Sequence, residues 1–175
     1  MVRQGGQLLL YPNLFVLLVA RSGLRKGPPV HLARALVTAV DNTKVIEGRS
    51  SIEAIIEEIR EVESKSNGGP PDVDSTAFLV ASEFASFIIS DPQALTQLTD
   101  IYDGHYHTQW TYRTRGHGKE ILRNPCITLL GASNETHLKE ALPENAIGGG
   151  FLARTAIIYA DKKSHTDSGV RGSRE

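Results

Sequence analysis

The chain has very little cysteine: Cys126 is the only one in 175 residues. A disulfide framework is therefore excluded, Cys126 reads as a small core residue, and a reducing, cytoplasmic setting fits. Charge of one sign is also lacking, because 19 Lys and Arg face 20 Asp and Glu for a net charge of −1. No overall field draws the protein to nucleic acid, so any DNA contact must come from a local basic patch. Long apolar runs are absent too. The longest, Leu14 to Ala20, falls well short of the roughly 18 residues of a membrane span and has the length of a buried strand. Met1 to Gln7 lacks the layout of a signal peptide. No internal repeat is visible. The first strand lies so close to Met1 that the chain is expected to be a piece of a longer protein.

What is present is an alternation of short apolar strands and helices. Apolar residues make up 40% and charged residues 22%, ordinary values for a globular domain. The run Leu14 to Val19 predicts a strand buried on both faces, as in a parallel sheet. A turn from Ala20 to Gly27 follows, and Pro28 and Pro29 suit the first turn of a helix over Val30 to Val40. His31, Ala35 and Thr38 fall on one face of that helix and Leu32, Leu36 and Ala39 on another, so it is expected to be well packed. Lys44 to Glu47 predicts a short strand. Ser50 or Ser51 should cap a helix to Ser64, whose Ile52, Ile55, Ile56 and Ile59 recur at helical spacing; Ser50 with Glu53 fits a capping box. Ser64 to Asp74 is a loop, Ala77 to Ala81 a strand, Asp91 to Tyr102 a helix with Pro92 in its first turn. Trp110 to Arg115 and Lys119 to Leu122 around Gly116–Gly118 predict a β-hairpin. Cys126 to Leu130 predicts a strand, Glu135 to Ala141 a helix and Ala153 to Tyr159 the last strand. The expected fold is an α/β three-layer sandwich on a mostly parallel central sheet with a β-hairpin insertion, spanning 1–161 as one domain, with a polar, disordered tail over 162–175.

The turn after the first strand has the parts of a phosphate-binding loop. A glycine-permitted curl turns backbone N–H groups inward, a helix N-terminus adds partial positive charge, and Lys26 can reach β- and γ-phosphates. The pattern G-x-x-x-x-G-K-[ST] nonetheless asks for glycine at Ala20 and Arg25 and for a hydroxyl at Gly27, and Pro28 removes one N–H. A surface turn with two basic residues is the competing reading.

The segment Ser22-Gly23-Leu24-Arg25-Lys26-Gly27 resembles the Ser-Gly-Thr-Arg-Lys-Gly loop of an uncharacterised family of phage and plasmid primase/helicase-like replication proteins, P-loop ATPases in which Arg-Lys replaces Gly-Lys. Four more segments resemble that family in the same order: AFLVASEF from Ala77, YRTRG from Tyr112, LLGAS from Leu129 and AIGGGFLAR from Ala146. Together they span roughly residues 11 to 160. The resemblance implies a P-loop NTPase core that binds ATP with Mg²⁺, hydrolyses it, and acts on single-stranded DNA in replication in a bacterial or phage-infected cell, with a ring of identical subunits among the assemblies it allows. It implies nucleotide contacts from Ser22, Gly23, Leu24, Arg25, Lys26 and Gly27.

Ala77 to Glu83 has the shape of a Walker B strand, in which an aspartate holds Mg²⁺ and a glutamate polarises the attacking water. Ser82 takes the metal-side position and Glu83 that of the base; a solvated first-turn glutamate is the alternative. Gly27 and Ser82 both lack the expected metal ligand, which leaves open a degenerate module that binds nucleotide or DNA without hydrolysis. Ser133 and Asn134 end the next strand and are candidates to sense the γ-phosphate, or else to cap the helix at Glu135. Arg154, after three glycines, is a candidate arginine finger in cis or from a neighbouring subunit, or a structural ion pair. Arg113, Arg115, His117, Lys119 and Arg123, beside Trp110 and Tyr112, form the only dense basic patch. Arg113, Arg115, Lys119 and Arg123 are the candidate single-stranded DNA contacts, against a plain solvated ribbon. Alternation places Trp110 and Tyr112 on the core side. His105 and His107 lack the companions a metal site needs.

Overall fold

A computed structural model describes residues 2–4, 8–10, 13–40, 43–47, 51–59, 75–103, 109–114 and 118–162. The runs rich in Val, Ile, Leu and Phe become strands; those over 76–81 and 126–133 are mostly buried, that over 15–20 is half-buried on one face, and that over 155–160 is half-buried to exposed throughout. Two short strands, β1 (Val2–Gln4) and β2 (Leu8–Leu10), pair antiparallel ahead of the main sheet. That sheet is built from β3 (Phe15–Ala20), β4 (Val45–Glu47), β5 (Thr76–Ala81), β8 (Cys126–Ser133) and β9 (Thr155–Ala160), in the order β4-β5-β8-β3-β9. Every pairing in it is parallel. β6 (Gln109–Thr114) and β7 (Gly118–Arg123) form the hairpin inserted before β8.

Right-handed crossovers decide the layers. The connection from β3 to β4 runs one way across the sheet and the later connections run the other way, so their helices take opposite faces. One face carries α1 (Gly27–Thr38) alone, with Val30 packed on Phe78, Val80, Leu130 and Ala132. The other face carries α2 (Ile52–Ile59), α3 (Phe84–Ser90), α4 (Ala94–Tyr102), α5 (Glu135–Ala141) and α6 (Glu144–Gly148) with the hairpin, and holds the larger core. In that core Phe151 stacks on Phe84 at 5.9 Å and lies against Phe15 at 5.7 Å. The arrangement is an α/β fold with a parallel five-stranded sheet between helices.

Several details depart from the expectations. α1 starts three residues earlier than predicted, with both prolines inside its first turn, and only Val30 of its residues is buried; Leu32 and Leu36 are each 63% exposed. The expectation of a well-packed α1 is therefore wrong. α3 was not predicted, and α4 begins at Ala94 rather than Asp91. Ser51 Oγ accepts the Ala54 amide at 3.2 Å, and Asp91 Oδ2 accepts that of Ile52 at 2.8 Å, which fixes the start of α2. A 3₁₀ turn over Leu152–Arg154 precedes β9. Cys126 is only partly buried. Ser50, the loop over 64–74, His105, His107, Arg115, His117 and the tail from 163 lie outside the described residues.

Candidate phosphate-binding site

The carboxyl ends of adjacent strands whose following helices leave on opposite faces form a crevice, and in open α/β sheets ligands bind there. β3 and β8 are such a pair: they are neighbours, with Val19 level with Ser133, and lead into α1 and α5 on opposite faces. The candidate loop, Ser133 and Asn134 therefore meet at the sheet's one such crevice. Ser82 and Glu83 end the next strand over. Ala81 is level with Gly131, so Glu83 lies near the height of Ser133 and two strand spacings, about 10 Å, from β3. Three segments far apart in the sequence are thus gathered by strand order alone.

The loop itself is curled by two residues with positive φ, Gly23 at 84° and Arg25 at 54°. Arg25 stands where the usual pattern has glycine, and its backbone adopts the left-handed conformation that favours glycine. Lys26 follows with right-handed values, φ −63° and ψ −27°. Successive left- and right-handed residues aim their N–H groups into one concavity, an anion-binding nest. Leu24 N donates to Arg21 O at 3.4 Å, while the amides of Ser22, Gly23, Arg25, Lys26 and Gly27 make no backbone hydrogen bond among the described residues. No acidic residue occupies the first turn of α1. The partial positive charge of the helix start therefore adds to the side chains of Arg25 and Lys26, while Arg21 faces the Glu135 carboxylate. Lys26 Nζ donates to the carbonyls of Ala20 (2.9 Å) and Arg21 (3.3 Å), so the ammonium lies over the end of β3.

The strain at Arg25 has a measurable consequence. Relieving a left-handed non-glycine residue gains about 1–2 kcal/mol and the entropy of glycine returns roughly half of that, so Arg25→Gly should raise stability by up to about 1 kcal/mol. Thermal unfolding is expected to move up by roughly 2–4 °C; a fall of that size would show that the Arg25 side chain, rather than its backbone, holds the loop.

The other candidates divide. Glu83 and Ser82 are exposed, and the Glu83 carboxylate has no partner among the described residues. Ser133 is buried at 2% exposure and donates to Asn134 O at 3.2 Å. Asn134 Oδ1 accepts the His137 amide at 2.7 Å, so Asn134 caps α5. Glu135 opens α5 directly after Asn134. Hydrogen bonds from Lys139 and then Tyr159 hold its carboxyl below the usual carboxylate range, and Arg21 adds to the effect. Sequence reasoning missed this Glu135–Tyr159–Arg21 grouping, because only strand order brings β9 beside β3.

Arg154 is not brought to the crevice. It precedes β9, whose first residue is level with Phe15, so it sits at the opposite end of the sheet. There its guanidinium grips Asp103 through Nε–Oδ1 and Nη2–Oδ2, both 2.7 Å, and donates to Gly150 O at 3.0 Å. The geometry is that of the ion pair, and a finger acting within the same chain is ruled out by position.

The hairpin starts beside the lower end of the sheet, where Ser75 bonds the Arg123 backbone, and climbs until Tyr112 Oη meets Glu53 Oε1 at 3.3 Å in the first turn of α2. α2 begins just after β4 ends, so Tyr112 lies toward the crevice end of the sheet. Trp110 is buried, donates Nε1 to Asp100 at 2.6 Å and stacks on Tyr112, as the alternation predicts. Burial and the nearby Glu53 carboxylate raise the Tyr112 phenol above its ordinary range. Arg113 is exposed and paired in register with Lys119, whereas Arg123 is half-buried at the base and does not belong to an exposed basic patch.

The donor set for Mg²⁺ is thin. Gly27 has no side chain, Ser82 offers a neutral hydroxyl, and no group of three or more His, Cys, Asp or Glu placed to hold a metal exists among the described residues. Mg²⁺ takes near-octahedral oxygen ligands, so these residues alone do not build a site for it. No helix among the described residues is long and apolar enough to cross a membrane. Neither known family models nor curated proteins match this chain.

Proposed function

We propose that this is a P-loop-type nucleotide-binding domain that takes ATP at the crevice between β3 and β8, as the helicase-like module of a replication protein acting on DNA. One observation carries the reading: at the switch point of the sheet, five loop amides have no backbone acceptor among the described residues, and Arg25 and Lys26 stand beside them with no acidic residue in the first turn of α1. A triphosphate would replace the Ala20 and Arg21 carbonyls as the partner of Lys26, and the loop amides would hold its oxygens. Glu83, unpaired and about two strands away, would accept the proton of the attacking water. Ser133 Oγ already donates locally and would act by shaping the crevice, whereas Asn134 caps α5 through Oδ1 and would offer its Nδ2 to a phosphate oxygen. Arg154 has no part within one chain. Arg113 at the raised hairpin supplies charge for a single strand.

Gly27 and Ser82 favour a second reading, in which nucleotide is bound but not cleaved. Phosphate release, measured with and without single-stranded DNA, separates the two. In the hydrolysing reading DNA stimulates release, and Glu83→Gln lowers the rate by about 10²–10⁴ while nucleotide affinity is kept. Tight ATP binding with no release from wild type would establish the second reading instead.

A further inference from the structure

A triphosphate held at the crevice has a direction across the sheet. Glu83 follows β5, on one side of β3, so the γ-phosphate points that way. β9 flanks β3 on the other side and is the edge strand, so the α-phosphate, ribose and base extend from the loop toward it. Tyr159 stands at that end of β9. It is level with Val19, whose side chain lies in the core on the α5 face, so its own side chain rises on that face. Its hydroxyl donates to Glu135 Oε2 at 3.0 Å. Glu135 opens α5 after β8, and β3 lies between β8 and β9. The ring of Tyr159 therefore crosses the carboxyl end of β3, beside the loop that starts at Arg21.

We infer, on the strength of the nucleotide reading, that Tyr159 is the platform on which the nucleobase stacks, with Glu135 positioning its ring. A platform needs an aromatic face that is open and a ring that is held. Tyr159 is 52% exposed, and its ring pairs with no other aromatic ring among the described residues. The other rings are committed to one another: Phe15, Phe84 and Phe151 in the core, Trp110 with Tyr112 in the hairpin. The hydroxyl anchors the far end of the ring, and Lys139 Nζ holds the other oxygen of the same carboxylate at 2.7 Å, so the anchor is itself fixed to α5. The bond to Glu135 raises the Tyr159 phenol above its ordinary range, so at neutral pH it stays a protonated donor. Arg21 acts on both Glu135 and Tyr159, which places a cation beside the ring on the phosphate side. Stacking reads the face of a base, which every nucleobase has, so the ligand recognised is an aromatic base joined to a triphosphate.

Calorimetric titration with ATP and, separately, with inorganic triphosphate tests it. Wild type should bind ATP at least about fivefold more tightly than triphosphate. Tyr159→Ala should weaken ATP binding by roughly fivefold to a hundredfold and leave triphosphate affinity where it was, with unchanged circular dichroism. Tyr159→Phe, which keeps the ring, should restore most of the affinity lost in Tyr159→Ala. Equal affinity of wild type for the two ligands overturns the platform and leaves the phosphate site standing, as does a Tyr159→Ala protein that binds ATP like wild type. Both affinities falling together in Tyr159→Ala overturns it too, since the tyrosine would then shape the loop. A Tyr159→Phe protein as weak as Tyr159→Ala overturns stacking in favour of the hydroxyl. A wild type that binds neither ligand overturns the nucleotide reading and the platform with it.

Discussion

Lys26→Ala is expected to weaken nucleotide binding by at least roughly tenfold to a hundredfold while leaving the domain folded. In the free protein the ammonium makes only two hydrogen bonds, to the Ala20 and Arg21 carbonyls at a solvent-accessible strand end, and both carbonyls can turn to water when it is removed. In the bound protein the same group would face phosphate oxygens, where charge-assisted hydrogen bonds contribute about 1.5–3 kcal/mol each. Losing one or two of them weakens affinity by at least roughly tenfold to a hundredfold. Fluorescence titration with a labelled ATP analogue, alongside thermal unfolding, reads both quantities. Unchanged affinity in the variant would remove Lys26 from the site.

Gly131→Ala should be the most damaging single methyl group in the sheet. A Cβ at Gly131 would lie 2.5 Å from Leu17 Cδ2 and 3.1 Å from the Phe84 ring, both fully buried. Leu17 must shift, and Phe84 is held by its stack on Phe151 and its tilted contact with Phe87. Overpacking of this kind costs about 1–3 kcal/mol, which lowers the melting temperature of a domain this size by roughly 2–12 °C. The same change tests how the crevice is built, because Gly131 lets α3 approach β8 and so sets where Ser82 and Glu83 sit. A Gly131→Ala protein as stable as wild type would mean that Phe84 does not pack on β8 in this way.

Much of the fold was readable because each strand is a continuous apolar run bounded by polar or turn residues. The hairpin was readable because alternation around Gly116–Gly118 has one solution. α3 escaped because FASFII is as strand-like as it is helical and follows β5 after a turn of only two residues. The outward face of α1 escaped because periodicity shows which residues share a side, not what covers that side. Arg154 was misplaced for a related reason: nearness to a strand in sequence does not say which end of the sheet it occupies, and parallel strands put residues before and after a strand about 20 Å apart. The most informative correction is at Arg25. Against the motif it counted as a defect, yet its φ of 54° is the conformation the missing glycine would supply. A letter-by-letter comparison cannot register a backbone angle.

The central claim is that the crevice between β3 and β8 binds the phosphates of a nucleotide, and equilibrium titration of the wild-type protein with a labelled ATP analogue tests it most directly. The account predicts saturable binding at one site per chain, displaced by unlabelled ATP and weakened as salt is raised, because Arg21, Arg25 and Lys26 carry it. No saturable binding at any salt concentration, or binding that inorganic triphosphate cannot displace, would contradict it.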